Sequence, residues 1–156
     1  QGARYTDSAP WLFCGRPDTQ APGMNQSPQQ TGRLARRAVI VAALLGASGV
    51  IMGAFGAHAV QDRIEPELFK VYQTGALYHM LHAVALLAVS VWLRWAPRRR
   101  LLHAAGICFT LGVLVFSGSL YILALTGVRW LGAITPIGGT LLIVAWLLTA
   151  ASAWKR

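Results

Sequence analysis

The stretch that decides the fold is AVIVAALLGASGVIMGAFGAH, at residues 38–58. It contains no Asp, Glu, Lys or Arg, and its length suits a helix that crosses a hydrocarbon core of about 30 Å at 1.5 Å per residue. Three further apolar runs of similar length follow at residues 72–95, 101–125 and 135–154. We therefore predict an all-α integral membrane protein with four transmembrane helices.

The composition excludes an ordinary soluble domain. Hydrophobic residues make up 55% of the 156 residues and charged residues only 12%, whereas soluble domains carry about 25% charged residues. The net charge of +9 would suggest nucleic-acid binding in a soluble protein. Here the basic residues lie at the ends of the apolar runs, so we predict a lipid bilayer as the partner and no nucleic acid.

The basic residues predict the orientation in the membrane. Nine of them are expected on one side of the bilayer, namely Arg33, Arg36, Arg37, Arg94, Arg98, Arg99, Arg100, Lys155 and Arg156. The other side has three, which are Arg63, Lys70 and Arg129. Because basic loops stay in the cytoplasm, we predict a multi-pass protein of the cell (inner) membrane with both termini cytoplasmic.

The N-terminal segment differs from the rest of the chain. Residues 1–32 are rich in Pro, Gly, Gln, Ser and Thr and lack an apolar period, a composition that favours disorder. We predict a disordered polar segment over residues 1–36 and a four-helix transmembrane domain over residues 37–156. Met24 is a plausible natural start, so we interpret residues 1–23 as an upstream extension that is not native.

The loops on the less basic side contain helix-start signals. Pro66 and Glu67 suit the first turn of a helix, and the residues that follow have near-helical apolar spacing. We predict a short interfacial helix between the first and second spans. Thr135 followed by Pro136 predicts the start of the fourth helix, with the Thr135 hydroxyl as its cap.

Four glycines form a ladder in the first run, at Gly46, Gly49, Gly53 and Gly56. Spacings of three and four place them on about one helix face, where a second helix backbone can approach closely. Two interpretations remain open, which are packing within the four-helix unit and a homo-oligomer interface.

Polar side chains are expected at a similar depth in the outer half of the bilayer. The candidate polar pocket consists of His58, His79, His82, Ser117, Ser119, Tyr121 and Thr135. Isolated polar groups are costly in lipid, so these side chains should face one another. The cluster either fixes helix packing only or forms a pocket that binds a proton, a quinone, haem or a metal.

Catalysis has little support in the sequence. Ser117 and Ser119 would need a base and an orienting acid to act as nucleophiles, and no Asp or Glu lies within any of the four runs. We predict no enzymatic activity, no cofactor and no metal. The favoured hypothesis is a structural or interaction component of the membrane, as a homo-oligomer or in a larger assembly. The alternative is a small transporter or a ligand-binding protein that uses the histidine pocket.

Four motifs occur in order along the chain: GAFGAH at 53–58, YHMLHA at 78–83, FSGSLY at 116–121 and TPIGG at 135–139. Together they resemble the YgdD-like family of small four-helix membrane proteins, a family of unknown function (DUF423). The resemblance covers about residues 38–154, and it departs at His79, where bacterial members often carry Gln. It implies a four-helix integral membrane protein and implies no activity, substrate or catalytic residue.

Overall fold

The structure is a computed structural model that describes residues 28–96 and 99–154. Its regular elements over these residues are all helical: α1 is Pro28–Phe55, α2 is Pro66–Trp92, α3 is Arg99–Thr126 and α4 is Thr135–Ala153. All four are long and apolar enough to cross a membrane. The predicted fold class, all-α with four membrane-spanning helices, is therefore confirmed.

The first helix begins earlier than the sequence analysis placed it. The structure has α1 starting at Pro28, so the helix includes residues 28–36, which the sequence analysis assigned to the polar N-terminal segment. Pro is favoured at the first position of a helix, and the Gln, Leu, Ala and Arg residues that follow are good helix formers. The expectations for residues 1–27, of disorder and of a non-native extension, lie outside the described residues.

The helices alternate in direction and pack in chain order, α1 on α2, α2 on α3 and α3 on α4. Between α1 and α4 there is no extensive contact in the described part of the chain. Each neighbouring pair is antiparallel, because Gly56 lies against Tyr72, Gly75 against Tyr121 and Gly138 against Phe116. The described part of the molecule is thus a row of four helices rather than a closed bundle.

The segment between α1 and α2 is a tight connection. One turn of π-helix, Gly56–Val60, continues α1, and α2 then begins at Pro66 with Glu67 in its first turn. The expected short interfacial helix is not a separate element, because its residues form the first turns of α2. Gly75 lies inside α2, and the helix continues through it.

The connection between α3 and α4 differs from the predicted cap. Gly127 adopts a positive φ of 72° and its N–H bonds to the Leu123 carbonyl, which ends α3 in the conformation that glycine tolerates best. A 3-10 turn, Arg129–Ala133, leads to α4. The N-cap of α4 is Ile134 and no side chain caps this end, so the prediction that Thr135 caps α4 is wrong. The Thr135 hydroxyl bonds to a neighbouring helix instead.

The buried apolar residues form two clusters at different levels. The larger, nearer the N-terminus of α1, includes Leu86, Leu102 and Phe109, which are almost fully buried. The smaller lies near the other end and centres on Tyr72 and Tyr121. Between the two levels, α2 and α3 carry the buried polar residues His79, His82, Ser117 and Ser119.

The glycine ladder of α1 divides into two pairs. A Cβ at Gly49 would meet Met80, and one at Gly56 would meet the Tyr72 ring, so this pair packs against α2. A Cβ at Gly46 or Gly53 would have nothing within 4 Å. The two pairs are each seven residues apart, and only the Gly49–Gly56 pair is used for packing within the chain.

Candidate functional site

The seven residues of the predicted pocket do not surround one cavity. The structure separates them into a hydrogen-bonded group at His79, an aromatic group at His82, a hydroxyl pair at Ser119 and Thr135, and the two separate side chains of Ser117 and His58. Each arrangement has its own physical cause.

The His79 group joins three helices. The His79 ring lies 3.3 Å from the Ser48 Oγ of α1 through Nε2, and 3.3 Å from the Tyr121 hydroxyl of α3 through Nδ1. The Ser48 hydroxyl donates its one proton to the Leu45 carbonyl, so it accepts from His79 Nε2–H. This proton count assigns Nδ1 as the acceptor from Tyr121.

Tyr72 extends this group toward the connection between α1 and α2. Its hydroxyl donates to the Met52 carbonyl of α1 at 2.7 Å, and its ring lies 4.9 Å from that of Tyr121. Tyr72 is almost fully buried. The combination of a buried ring and a satisfied hydroxyl fixes α1 against α2.

The His82 ring lies in an aromatic group instead of a polar pocket. Tyr78 stacks on it at 5.5 Å, and the rings of Phe109 and Trp146 lie 5.9 and 6.4 Å away. Its Nδ1 donates to the Tyr78 carbonyl at 2.8 Å, because a carbonyl can only accept. His82 therefore joins α2, α3 and α4 mainly through ring packing.

Ser119 and Thr135 form a pair between α3 and α4. Their hydroxyl oxygens are 2.9 Å apart, and either hydroxyl can be the donor, because each also has a carbonyl within reach, that of Phe116 for Ser119 and that of Leu131 for Thr135. This pair belongs to the α3–α4 contact, and the His79 group belongs to the contacts of α1, α2 and α3.

The two remaining side chains behave differently. His58 lies in the π-helical turn and is exposed, so it takes no part in either group. Ser117 is 1% exposed, and its hydroxyl is the one buried side-chain polar atom without a hydrogen-bond partner among the described residues. An unpaired buried hydroxyl costs about 1–3 kcal/mol.

Several members of these groups were missed by the sequence analysis. Ser48 was overlooked although it is the one hydroxyl residue of the first run, and Phe109 and Trp146 carried no polar signal. Tyr72 was not among the seven residues of the predicted pocket. Each of these residues contacts a neighbouring helix only because its own helix turns that face inward, and the sequence alone does not specify this face.

The chemistry that this arrangement can perform is limited. Both buried imidazoles are held by internal hydrogen bonds. Over the residues that the structure describes, no three His, Cys, Asp or Glu side chains come together as metal ligands would. The arrangement supplies hydrogen bonds and ring contacts between helices.

Comparison with known proteins agrees with this architecture. The family described as "Protein of unknown function (DUF423)" matches residues 52–139. The matched residues include all four of the sequence motifs, one from each apolar run.

Relatives match the chain over nearly their full length. The UPF0382 membrane protein YwdK of Bacillus subtilis is 38% identical over 117 residues, which cover 75% of this chain and 95% of that protein. A UPF0382 membrane protein of Staphylococcus haemolyticus is 41% identical, with 75% and 94% covered. One of Haemophilus influenzae is 39% identical, with 72% and 90% covered. These names give no enzymatic activity, and no solved structure matches the chain.

Proposed function

This chain belongs to the DUF423 family of membrane proteins, and from that premise we propose that it is a non-enzymatic interaction component of the cell membrane. In this role it associates through α1 with another membrane helix, either of a second copy or of a larger assembly. It lies in the cell (inner) membrane with both termini in the cytoplasm, the orientation that the positive-inside rule favours.

The observation that carries the proposal is how the buried polar residues are used. His79 bonds to Ser48 and Tyr121, and His82 bonds to the Tyr78 carbonyl within its own helix. Polar side chains that bond across helices hold membrane helices together. For His79 this use supports a structural role, because both of its ring nitrogens have partners on neighbouring helices.

The exposed face of α1 supports an association role. Only 11% of its most apolar window is buried inside the chain, against 44% for α2. On this open face Gly46 and Gly53 have nothing near them, and Ala43, Ala47, Ala54 and Ala57 are exposed beside them. Glycine weakens a helix by about 1 kcal/mol relative to alanine, a cost that close packing of another helix would offset.

Disulfide cross-linking in native membranes tests the association. Val50 lies four residues from Gly46 and three from Gly53 and therefore shares their face. Ile51 is the next residue along the helix and faces a different direction. Both are well exposed, at 59% and 66%. In a chain whose native cysteines are replaced, we expect Val50→Cys to form a cross-linked species and the matched Ile51→Cys to form little.

The outcome that contradicts the proposal is equally clear. If neither variant cross-links, and the tagged protein elutes from mild detergent as a monomer without a partner, α1 does not associate. Equal cross-linking of both variants would indicate random collision in the bilayer.

A second candidate function is the binding of a small solute or cofactor next to Ser117. The observation that favours it is the buried, unpaired Ser117 hydroxyl, which could bond to a bound molecule. On this hypothesis a metal, haem or quinone co-purifies with the wild type and is lost in both Ser117→Ala and His82→Phe. The exposed His58→Phe serves as the control. Equal metal, haem and quinone contents in all four proteins would exclude this candidate.

A further inference from the structure

A cleft opens at the end of the molecule that carries Arg33, Arg36, Arg37 and Arg100, which we call the basic end. Its volume is about 350 Å³, and it lies between α1, α2 and α3. The cause is the packing of α1, which runs along α2 but hardly touches α3. This volume is within the range of about 300–1,000 Å³ that is typical of ligand pockets.

The walls of the cleft are apolar. Val41 of α1, Leu86 and Val89 of α2 and Leu102 of α3 all line it. Two hydroxyl residues, Ser90 and Thr110, also line it, but they donate their protons to carbonyls of their own helices. The walls therefore suit a hydrocarbon chain better than a polar solute.

The dimensions of the cleft fit one leaflet of a bilayer. On α3 the lining residues run from Leu102 to Leu111, which is about 14 Å at 1.5 Å per residue. That length is about half of a hydrocarbon core of about 30 Å. Ile107 and Leu111 are half-exposed, at 49% and 47%, so the cleft is open sideways, to where lipid lies.

The mouth of the cleft is basic, and none of the described residues that line it is acidic. Arg37 and His103 are the lining residues that can carry charge. The carboxylates of the described residues, Asp62, Glu65 and Glu67, lie in the connection between α1 and α2 or at the start of α2, which is the opposite end. Between described residues the structure has the ion pair Lys70–Glu67 at that opposite end, so no described carboxylate lies beside Arg37, and an anionic group of a bound molecule would complement its charge.

We propose that this cleft binds an anionic phospholipid, with one acyl chain between α1 and α3 and the phosphate beside Arg37 and His103. A guanidinium suits phosphate because its planar fork of donors matches two oxygens. Basic pockets between transmembrane helices are known to hold anionic headgroups. The proposal goes beyond the association through α1 and does not depend on it, because the open glycine face and the cleft involve different residues.

The test uses the full chain in nanodiscs of phosphatidylcholine that contain a photoactivatable phosphatidylglycerol probe. Cross-linked peptides are identified by mass spectrometry, and a photoactivatable phosphatidylcholine is the probe control. Both leaflets have the same composition, so the result does not depend on the orientation of the protein. We expect the phosphatidylglycerol probe to label the cleft residues of α1 and α3.

Matched variants separate the cleft from general surface charge. Arg37→Gln should lower phosphatidylglycerol labelling of the cleft about tenfold, since a hydrogen bond to a charged group contributes about 1.5 kcal/mol. Arg36→Gln removes the same charge one residue away, outside the cleft lining, and should leave the labelling unchanged. Ile107→Trp should fill the cleft and abolish it, whereas Leu114→Trp, outside the lining, should not.

Three results would overturn the proposal. Equal losses in Arg36→Gln and Arg37→Gln would mean unspecific attraction to a basic surface. Equal labelling by the phosphatidylcholine probe would mean that the cleft does not distinguish an anionic lipid from a zwitterionic one. Labelling that excess inorganic phosphate abolishes but Ile107→Trp leaves unchanged would mean an anion site that does not use the acyl chain. Thermal unfolding of each variant checks its fold, and Arg37→Gln at an exposed position remains decisive if Ile107→Trp fails to fold.

Discussion

His79 lies on α2 and connects it to two neighbouring helices through its ring nitrogens. Ser48 and Tyr121 contact it from α1 and α3, and the ring is buried at 7% exposure. A histidine in a predicted membrane helix invites a catalytic or ligand-binding interpretation. The geometry here gives it a full set of internal partners, which is the arrangement that holds helices together.

Replacing His79 should separate hydrogen bonding from packing. We expect His79→Leu to lower the free energy of unfolding by about 0.6–1.7 kcal/mol, because the buried Tyr121 hydroxyl loses its acceptor. His79→Gln should cost less, since its amide both donates and accepts. The measurement is reversible unfolding in bicelles, with Tyr121→Phe added to complete a double-mutant cycle. If the effects of His79→Leu and Tyr121→Phe simply add, the two side chains are not coupled.

Sequence reasoning at the residue scale identified some partners and missed others. It selected His79, Tyr121, Ser119 and Thr135 because polar residues in an apolar run must find partners. It could not pair them correctly, since it expected one cluster where the structure has separate groups. Each hydroxyl bonds to whichever helix its face meets, and run length and residue type do not specify that face.

The contact between α3 and α4 is the most extensive helix contact among the described residues. A Cβ at Gly138 would lie 2.7 Å from the Phe116 Cα, and one at Gly112 would lie 2.9 Å from the Leu142 Cγ. The Ser119–Thr135 bond lies in the same interface. Close backbone contact with a hydrogen bond is how helices pack where lipid is as apolar as the side chains.

The glycines of α4 offer a matched pair for this contact. We expect Gly138→Ala to lower the free energy of unfolding by about 1–3 kcal/mol, the usual cost of overpacking, because the added methyl meets the α3 backbone. At Gly139 an added Cβ would lie 3.7 Å from the Phe116 ring, an ordinary contact. Gly139→Ala should therefore be neutral or stabilising through helix propensity. Equal effects of the two substitutions in an unfolding assay would contradict the close approach at Gly138.

The glycine ladder shows the same limit at the scale of the element. Spacing placed Gly46, Gly49, Gly53 and Gly56 on about one face, which is correct within the width of a helix face. The structure turns only Gly49 and Gly56 toward α2. The two pairs differ in direction by only a fraction of a helical turn. This difference decides which pair packs inside the chain, and residue spacing alone does not resolve it.

At the scale of the whole molecule, the orientation can be tested by cysteine labelling. The chain is first freed of Cys14 and Cys108, and single cysteines are placed at Gln61, between α1 and α2, and at Trp95, between α2 and α3. Both side chains are exposed. We expect a membrane-impermeant maleimide to label Gln61→Cys in intact cells and Trp95→Cys only after permeabilisation. The reverse pattern would place the termini outside.

The row of four helices was decided in part by the sequence itself. Four runs of spanning length, with loops too short for another domain, determined the number of spans, and the sorted charges predicted their direction. What the sequence left open is the face that each helix turns toward its neighbours. In water that face is the apolar one, and its periodicity can be read from the residues.

In lipid both faces are apolar, so this contrast disappears. The tertiary structure decided the internal faces by the fit of small residues against backbone, as at Gly138, and by polar pairs such as His79 with Tyr121. It also decided that α1 is separated from α3 at the basic end, which opens the cleft beside Arg37. The sequence thus determined that the chain crosses the membrane four times, and only packing geometry decided what those crossings enclose.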